Sequence, residues 1–345
     1  MFSSKAVRLV AVAAMIVTAG GIGLAAPASA CACGGVAAPA GATATVGNEV
    51  ALLGWDGTTE TIVMQLALRS GGDHAALIVP TPAPATVTAA DAAVFTELRE
   101  RTAPEVVTKH RWFEETADGS MGGAPGRAAP TVLDRVQLGP LEATTLTGGD
   151  ISGIQAWLDE NGYVMRAEVV ATMAPYLAEG WSFVAMRLTG TAALSGDLDP
   201  VQLSFPADRL VYPMRMSSAA TSVQTVRLYV LGEHRVQRSD PDRGKQQVNV
   251  EFAGRVTELD DPALRELAAN GRDYLTELSV VIPKPAEITS DFALTATEDK
   301  DYRRVVHRTE TLEFLGFPAG SAALAAGLLV TVGVLLAVVV RVARR

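Results

Sequence analysis

Between Ala319 and Val340 the chain runs for 22 residues without a charge, and Arg341, Arg344 and Arg345 follow at once. As an α-helix this run is about 33 Å long, against a bilayer hydrocarbon core of about 30 Å. A backbone in lipid can satisfy its polar groups only internally, so the pattern predicts a spanning helix over 317–340. Basic residues are retained on the cytoplasmic side, which makes 341–345 a cytoplasmic tail. The bulk of the chain, about residues 31–316, is then expected outside the cell membrane as the ectodomain of a single-pass protein.

The other end agrees. Lys5 and Arg8 precede a weakly polar run from Leu9 to Leu24, and Ala28-Ser29-Ala30 forms a small-residue cleavage signal. Residues 1–30 therefore read as a signal peptide, with Cys31 first in the mature chain. The 29 Lys and Arg less the five at these ends (Lys5, Arg8, Arg341, Arg344, Arg345) leave 24 against 38 Asp and Glu, a net of −14. So acidic an exterior disfavours nucleic acid and anionic lipid as partners. Its length is enough for one large domain or two ordinary ones with a sizeable core. Two cysteines cannot staple that much chain, so stability must come from apolar burial.

Those cysteines stand as Cys31-Ala32-Cys33. A disulfide across one intervening residue is strained, and two thiols supply only half a structural zinc site. The pair reads as a short oxidised or lipid-capped arm, and no metal or cofactor is expected.

Periodicity along the ectodomain favours strands punctuated by a few helices: an α+β, strand-dominated class. Val46–Gly54 and Thr59–Leu68 flank Trp55-Asp56-Gly57-Thr58, a hairpin signal. Ala75–Val79 should follow as a strand and leave the sheet at Pro80-Thr81-Pro82-Ala83-Pro84, where ladder donors are missing. Ala92, Phe95 and Leu98 predict an amphipathic helix over 91–101, with Glu97 to Arg101 on a solvated face. Residues 116–130 are rich in glycine and lack apolar period, which predicts a flexible linker between a β-rich part (31–115) and an α+β part (131–316).

Past the linker, Ile154, Trp157 and Leu158 mark a helix that Gly162 stops, and a second one, 166–178, should restart at Pro175. Later strands are expected at 181–188, 201–205, 210–214, 223–231, 248–252, 279–282 and 292–297, with a helix at 262–269. Asp240-Pro241-Asp242-Arg243-Gly244 reads as a surface turn, because the later ligands of a calcium loop are missing.

Cys33-Gly34-Gly35, Val79-Pro80-Thr81-Pro82, Trp157-Leu158 with Asn161-Gly162-Tyr163, Tyr176, Gly180-Trp181-Ser182-Phe183-Val184 and Tyr212-Pro213 form an ordered set. In that order they resemble the exported bacterial proteins grouped as domain of unknown function 2330, over about residues 33–300. The resemblance implies a fold-level grouping and an exported location, and no established activity. A cysteine soon after the Gly pair, common in that family, is replaced here by Val36-Ala37-Ala38.

Catalytic signatures are thin. Of four histidines, His74 beside Asp73 is the best acid–base candidate, ahead of His110, His234 and His307. No nucleophile elbow, phosphate-cradling loop or metal-ligand spacing accompanies them. Aromatic residues offer a binding surface instead: Trp55 at the hairpin tip and Trp112 beside the linker are the candidates for exposure, while Trp157 and Trp181 belong to the core. The sequence thus points to a noncatalytic binding or scaffolding module at the bacterial envelope, with a cell-wall or protein partner. The alternative is a hydrolase-like envelope enzyme.

Overall fold

The structure, a computed structural model, describes residues 34–113, 135–136, 142–147, 151–189, 194–314 and 316–344. The expected signal peptide, Cys31, Cys33 and the segment 116–130 lie outside the described residues. The first part holds β1 Gly35–Pro39, β2 Ala44–Trp55, β3 Thr59–Ser70, β4 His74–Thr81, β5 Thr86–Ala89, α1 Ala93–Arg101 and β6 Glu105–Arg111. Then come β7 Arg135–Val136, β8 Glu142–Leu146, α2 Ile151–Glu160, β9 Tyr163–Val164, α3 Ala167–Ala171 and α4 Ala174–Ala178. Strands β10 Ser182–Thr189, β11 Ser195–Leu198, β12 Val201–Pro206, β13 Leu210–Tyr212, β14 Gln224–Gly232, β15 Val236–Arg238 and β16 Gln247–Arg255 lead into α5 Pro262–Leu267. β17 Tyr274–Ile282, β18 Phe292–Ala296, β19 Tyr302–Arg303, β20 Val305–Thr311, β21 Glu313–Phe314 and β22 Phe317–Pro318 precede α6 Ala319–Ala343.

Strands dominate, as expected, and most of them form two large stacked sheets, beside a three-stranded sheet β13-β18-β15 and the two-stranded ribbons β20-β6 and β21-β22. The larger follows the order β19-β16-β17-β14-β2-β3-β11-β7, with β12 and β5 continuing the β3 edge; the smaller follows β8-β10-β4-β1-β9. Both draw strands from either side of residues 114–134. The Asp-Gly signal works as read: Gly57 takes φ +99°, and Asp56 Oδ1 accepts the amides of Thr58 and Thr59 at 2.8 Å each.

Period-two alternation assigns every central strand two apolar faces. Leu53, Met64, Leu228 and Leu278 of the large sheet meet Leu77, Val79, Val184 and Met186 of the small one in the main core. On the outer face of the small sheet, Ile78, Phe183 and Ala185 pack under Ile154, Leu158 and Tyr176 from α2 and α4. On the outer face of the large sheet, Leu52, Val63 and Leu275 pack under Val94, Phe95 and Leu98 of α1 and Leu264 of α5. The result is a helix–sheet–sheet–helix stack.

Four local expectations change on folding. β4 runs through Pro80 to Thr81, because β1 is paired only as far as Ile78 and a missing donor is harmless on the unpaired side. Glu97 is not on a solvated face: its carboxylate accepts the amides of Asp260 and Asp261 at 2.9 and 2.8 Å, tying α1 to the start of α5. The Asp240–Gly244 turn is not a surface turn in its acids, since Asp240 and Asp242 are buried. Asp242 accepts from Lys245, the Thr289 amide and hydroxyl, and the Ser290 amide, all within 2.9 Å. Finally, the terminal helix extends past Val340 to Ala343 and carries Arg341 with it.

Glu60 on β3 is buried, and its two carboxylate oxygens lie 3.2 Å from the Val211 amide. Burial pushes its pKa well above the ordinary 4.5, against the opposing pull of that amide. The folded protein thus keeps a proton that the unfolded chain has lost. The stability linked to Glu60 is complete below pH 4.5 and falls as pH rises toward the elevated value, by at most about 1.4 kcal/mol per pH unit. Glu60→Gln is expected to melt above the wild type at pH 7.5 and alongside it at pH 4. Thermal unfolding across that range checks this, and parallel curves would show that Glu60 does not carry the slope.

Candidate functional site

Where α1 ends, the sheet face beneath it changes character. Thr102 closes the helix, its amide and hydroxyl both bonded to the Leu98 carbonyl at 3.0 and 2.9 Å. Beyond that point the same face carries polar groups. Asn48, Gln65, Arg227, Glu251 and Glu277 join Arg99, Thr102, Tyr229 and Arg304 around a cleft of about 370 Å³.

Strand geometry places these side chains. β14 turns Val226, Leu228 and Val230 into the main core, so Arg227, Tyr229 and Leu231 take the opposite face. Glu277 of β17 stands directly across from Tyr229 in antiparallel register. A bulge in β16 between Val250 and Phe252 takes Glu251 out of the regular ladder, where it holds Arg304 at 3.0 Å.

Glu277 is 1 % exposed and pairs with the Arg227 guanidinium. Burial raises its pKa above the ordinary value, against opposing contributions from the Thr102 hydroxyl and Arg227. The Tyr229 hydroxyl is buried without a well-formed hydrogen bond among the described residues. Burial, then the neighbouring Glu277, raises the pKa of that phenol. Perturbed groups of this kind gather where a protein binds or reacts. The rim adds two further guanidiniums, and planar guanidinium forks match carboxylate and phosphate oxygens.

A second cavity, about 410 Å³, is mostly apolar and is lined by Trp55, Arg209, His234, Val236, Arg272 and Leu294 among others. Trp55 is not an open platform. Its indole Nε1 donates to the Ala207 carbonyl at 3.0 Å and its ring packs on the main core, because the hairpin tip folds back against the loop after β12. Trp112, by contrast, is 59 % exposed. Trp157 and Trp181 are half-buried against the core, as expected, with Trp157 stacked on Tyr163 at 6.3 Å.

Asp73 and His74 do come together, Oδ1 to Nδ1 at 2.5 Å, at the start of β4. That hydrogen bond is the main cause holding the Asp73 carboxyl below its usual pKa. Asp73 is exposed, His74 is half-buried with its ring edge-on to Tyr163 at 5.8 Å, and neither cavity above includes the pair. His234 pairs with Asp299 at 3.2 Å, while His110 and His307 lie exposed on β6 and β20. Among the described residues no group of three or more His, Cys, Asp or Glu could hold a metal ion.

The cleft residues were missed from sequence because Thr276-Glu277 interrupts an apolar run; the strand expected at 279–282 in fact begins at Tyr274. An acid on the buried face of a central strand was the available signal. Its meaning depended on Arg227 and Tyr229, about fifty residues earlier.

Fold and cleft together define a strand-rich α+β protein with a partly buried arginine-lined site and, among the described residues, one helix, Ala319–Ala343, long and apolar enough to cross a membrane. The family model for the uncharacterized proteins conserved in bacteria known as DUF2330 matches residues 27–295, and the chain belongs to that family. No curated protein matches. Among solved structures, baculovirus P35 is 8% identical with a TM-score of 0.34, covering 75% of this chain and 95% of that one. A mutated baculovirus P35 after caspase cleavage is 7% identical with a TM-score of 0.30, covering 75% and 98%.

Proposed function

We propose that this protein is a noncatalytic binding module, tethered to the outer face of the bacterial cell membrane by α6, whose cleft takes up a small anionic ligand of the envelope. The observation that carries this is the convergence of Arg99, Arg227 and Arg304 above the buried Glu277 and Tyr229. Arg227 and Arg304 each spend one contact on an acid, and guanidinium groups have further N–H donors to offer. A cell-wall fragment bearing phosphate or carboxylate has the matching chemistry, as does an acidic side chain of a protein partner. Tethering is supported by the composition of α6 and by the absence of burial along its most apolar stretch. The alternative, an envelope hydrolase, would rest on Asp73 and His74, which line neither cavity.

Calorimetric titration of the detergent-solubilised full chain with inorganic phosphate, and then with citrate, tests the proposal. Saturable binding of at least one anion is expected. Arg99→Gln combined with Arg304→Gln should weaken it tenfold or more, about 1.4 kcal/mol. Asp73→Ala and His74→Ala should leave it unchanged. Flat titrations, or equal affinity in the arginine variants, would remove the cleft as the binding site.

A further inference from the structure

The membrane end of the ectodomain is built differently from the rest. β6 and β20 pair in parallel, from Glu105 opposite Val305 to Arg111 opposite Thr311, apart from both main sheets. Both strands are largely exposed. An isolated two-stranded ribbon is marginal in water, so its geometry must be held at the ends. At the base, the Glu105 amide donates to the Arg304 carbonyl at 2.8 Å, and the Arg303 guanidinium reaches the Ala103 and Arg101 carbonyls at 2.6 and 3.0 Å. At the tip, the Leu312 amide donates to the Arg111 carbonyl at 2.8 Å.

That tip carries a ring of large apolar side chains facing solvent: Trp112, Phe113, Phe314 and Phe317, each between 54 and 65 % exposed. It is joined to α6 by backbone. The Ala319 amide donates to the Leu312 carbonyl and the Gly320 amide to the Trp112 carbonyl, both at 2.6 Å. A Cβ at position 320 would stand 2.4 Å from the Phe113 ring, so only glycine lets that ring lie against the helix.

Length then sets the level of the ring. A 30 Å hydrocarbon core takes about 20 helical residues, and counting back from Arg341 puts its outer boundary near residue 321. That is one residue beyond the amide bonded to Trp112. Aromatic residues are enriched at this depth, where an amphipathic ring finds apolar and wet surroundings together.

Granted that α6 spans the membrane, we infer that Trp112, Phe113, Phe314 and Phe317 form a collar seated in the outer lipid interface, fixing the ribbon as a spacer of about 23 Å between bilayer and domain. The occupant is the lipid interface itself, independent of headgroup charge. Lys109, Arg111 and Arg308 on the ribbon stand against Glu105 and Glu310 there and Glu313 just beyond it, which leaves no net charge. The role of Trp112 is then to grip lipid rather than a cell-wall sugar or a protein.

The test reconstitutes the full chain and its Trp112→Phe variant in phosphatidylcholine vesicles and floats them on a density gradient. The difference between their fluorescence spectra isolates Trp112. Doxyl groups at lipid carbon 5 should quench that component at least twofold more than doxyl groups at carbon 12, while aqueous iodide leaves it nearly untouched. Flotation with a Trp112 component quenched by iodide and not by lipid would overturn the collar and leave the spanning helix standing. Failure of the chain to float would overturn both.

Discussion

Deleting residues 319–345 is expected to move the protein from a carbonate-resistant membrane fraction to the soluble fraction almost completely. Insertion of a 25-residue apolar helix is effectively irreversible on cellular timescales, whereas a peripheral surface or one lipid chain binds reversibly. The cut should spare the fold, because α6 contributes no residue to the three hydrophobic clusters and buries only Gly320. The truncated chain should therefore unfold at nearly the temperature of the parent. Protease added to intact cells should degrade the parent's ectodomain and spare the arginine tail. Persistence of the truncated form in the membrane pellet would transfer anchoring to another segment.

A comparable effect, on stability, is expected for Arg238→Ala. The Arg238 side chain is 1% exposed and holds Asp240 with two hydrogen bonds, at 2.9 and 2.6 Å. It also donates to Gln246 at 2.6 Å and lies 3.6 Å above the Phe292 ring. Removing it leaves the Asp240 charge buried without its cation, which costs about 3–5 kcal/mol in comparable sites. Against a total stability of about 5–15 kcal/mol, this is a large fraction. Urea unfolding of the full chain in detergent should show the midpoint fall with little change in slope. Arg238→Ala with Asp240→Ala should recover part of the loss, because the stranded charge is gone. A single-variant loss below about 1 kcal/mol would mean that water reaches the pair.

A second, partly buried link works in a similar way between layers. Asp291 accepts the Tyr176 hydroxyl at 2.5 Å and the Met214 amide at 2.7 Å, and pairs with Arg215 at 2.8 Å. Arg215 in turn clasps Glu179 and lies 4.1 Å over the Tyr176 ring. Tyr176 and Trp181, two of the residues that carry the family resemblance, thus act in holding α4 to the turn after β13. Their place in the ordered set has a structural cause, and the cleft lies on the other side of the stack.

Local hydrophobicity and local backbone chemistry were enough to read the apolar terminal helix, the Asp56-Gly57 hairpin, the α1 stripe, the Pro175 restart and the helix that begins at Pro262. Each depends on residues within about one or two turns of one another, so the order of the chain contains the whole signal. What tertiary structure alone decided is the setting of the charged residues. Glu97, Asp240 and Asp242 look like solvated acids in sequence and become acceptors of protein hydrogen bonds, half-buried at Glu97 and buried at the other two, while Trp55 turns inward. Arg227 meets Glu277 only because β14 and β17 pair in one particular register. The electrostatic environment of a side chain comes from strands that arrive from far along the chain, and no nearby residue records which strand will arrive.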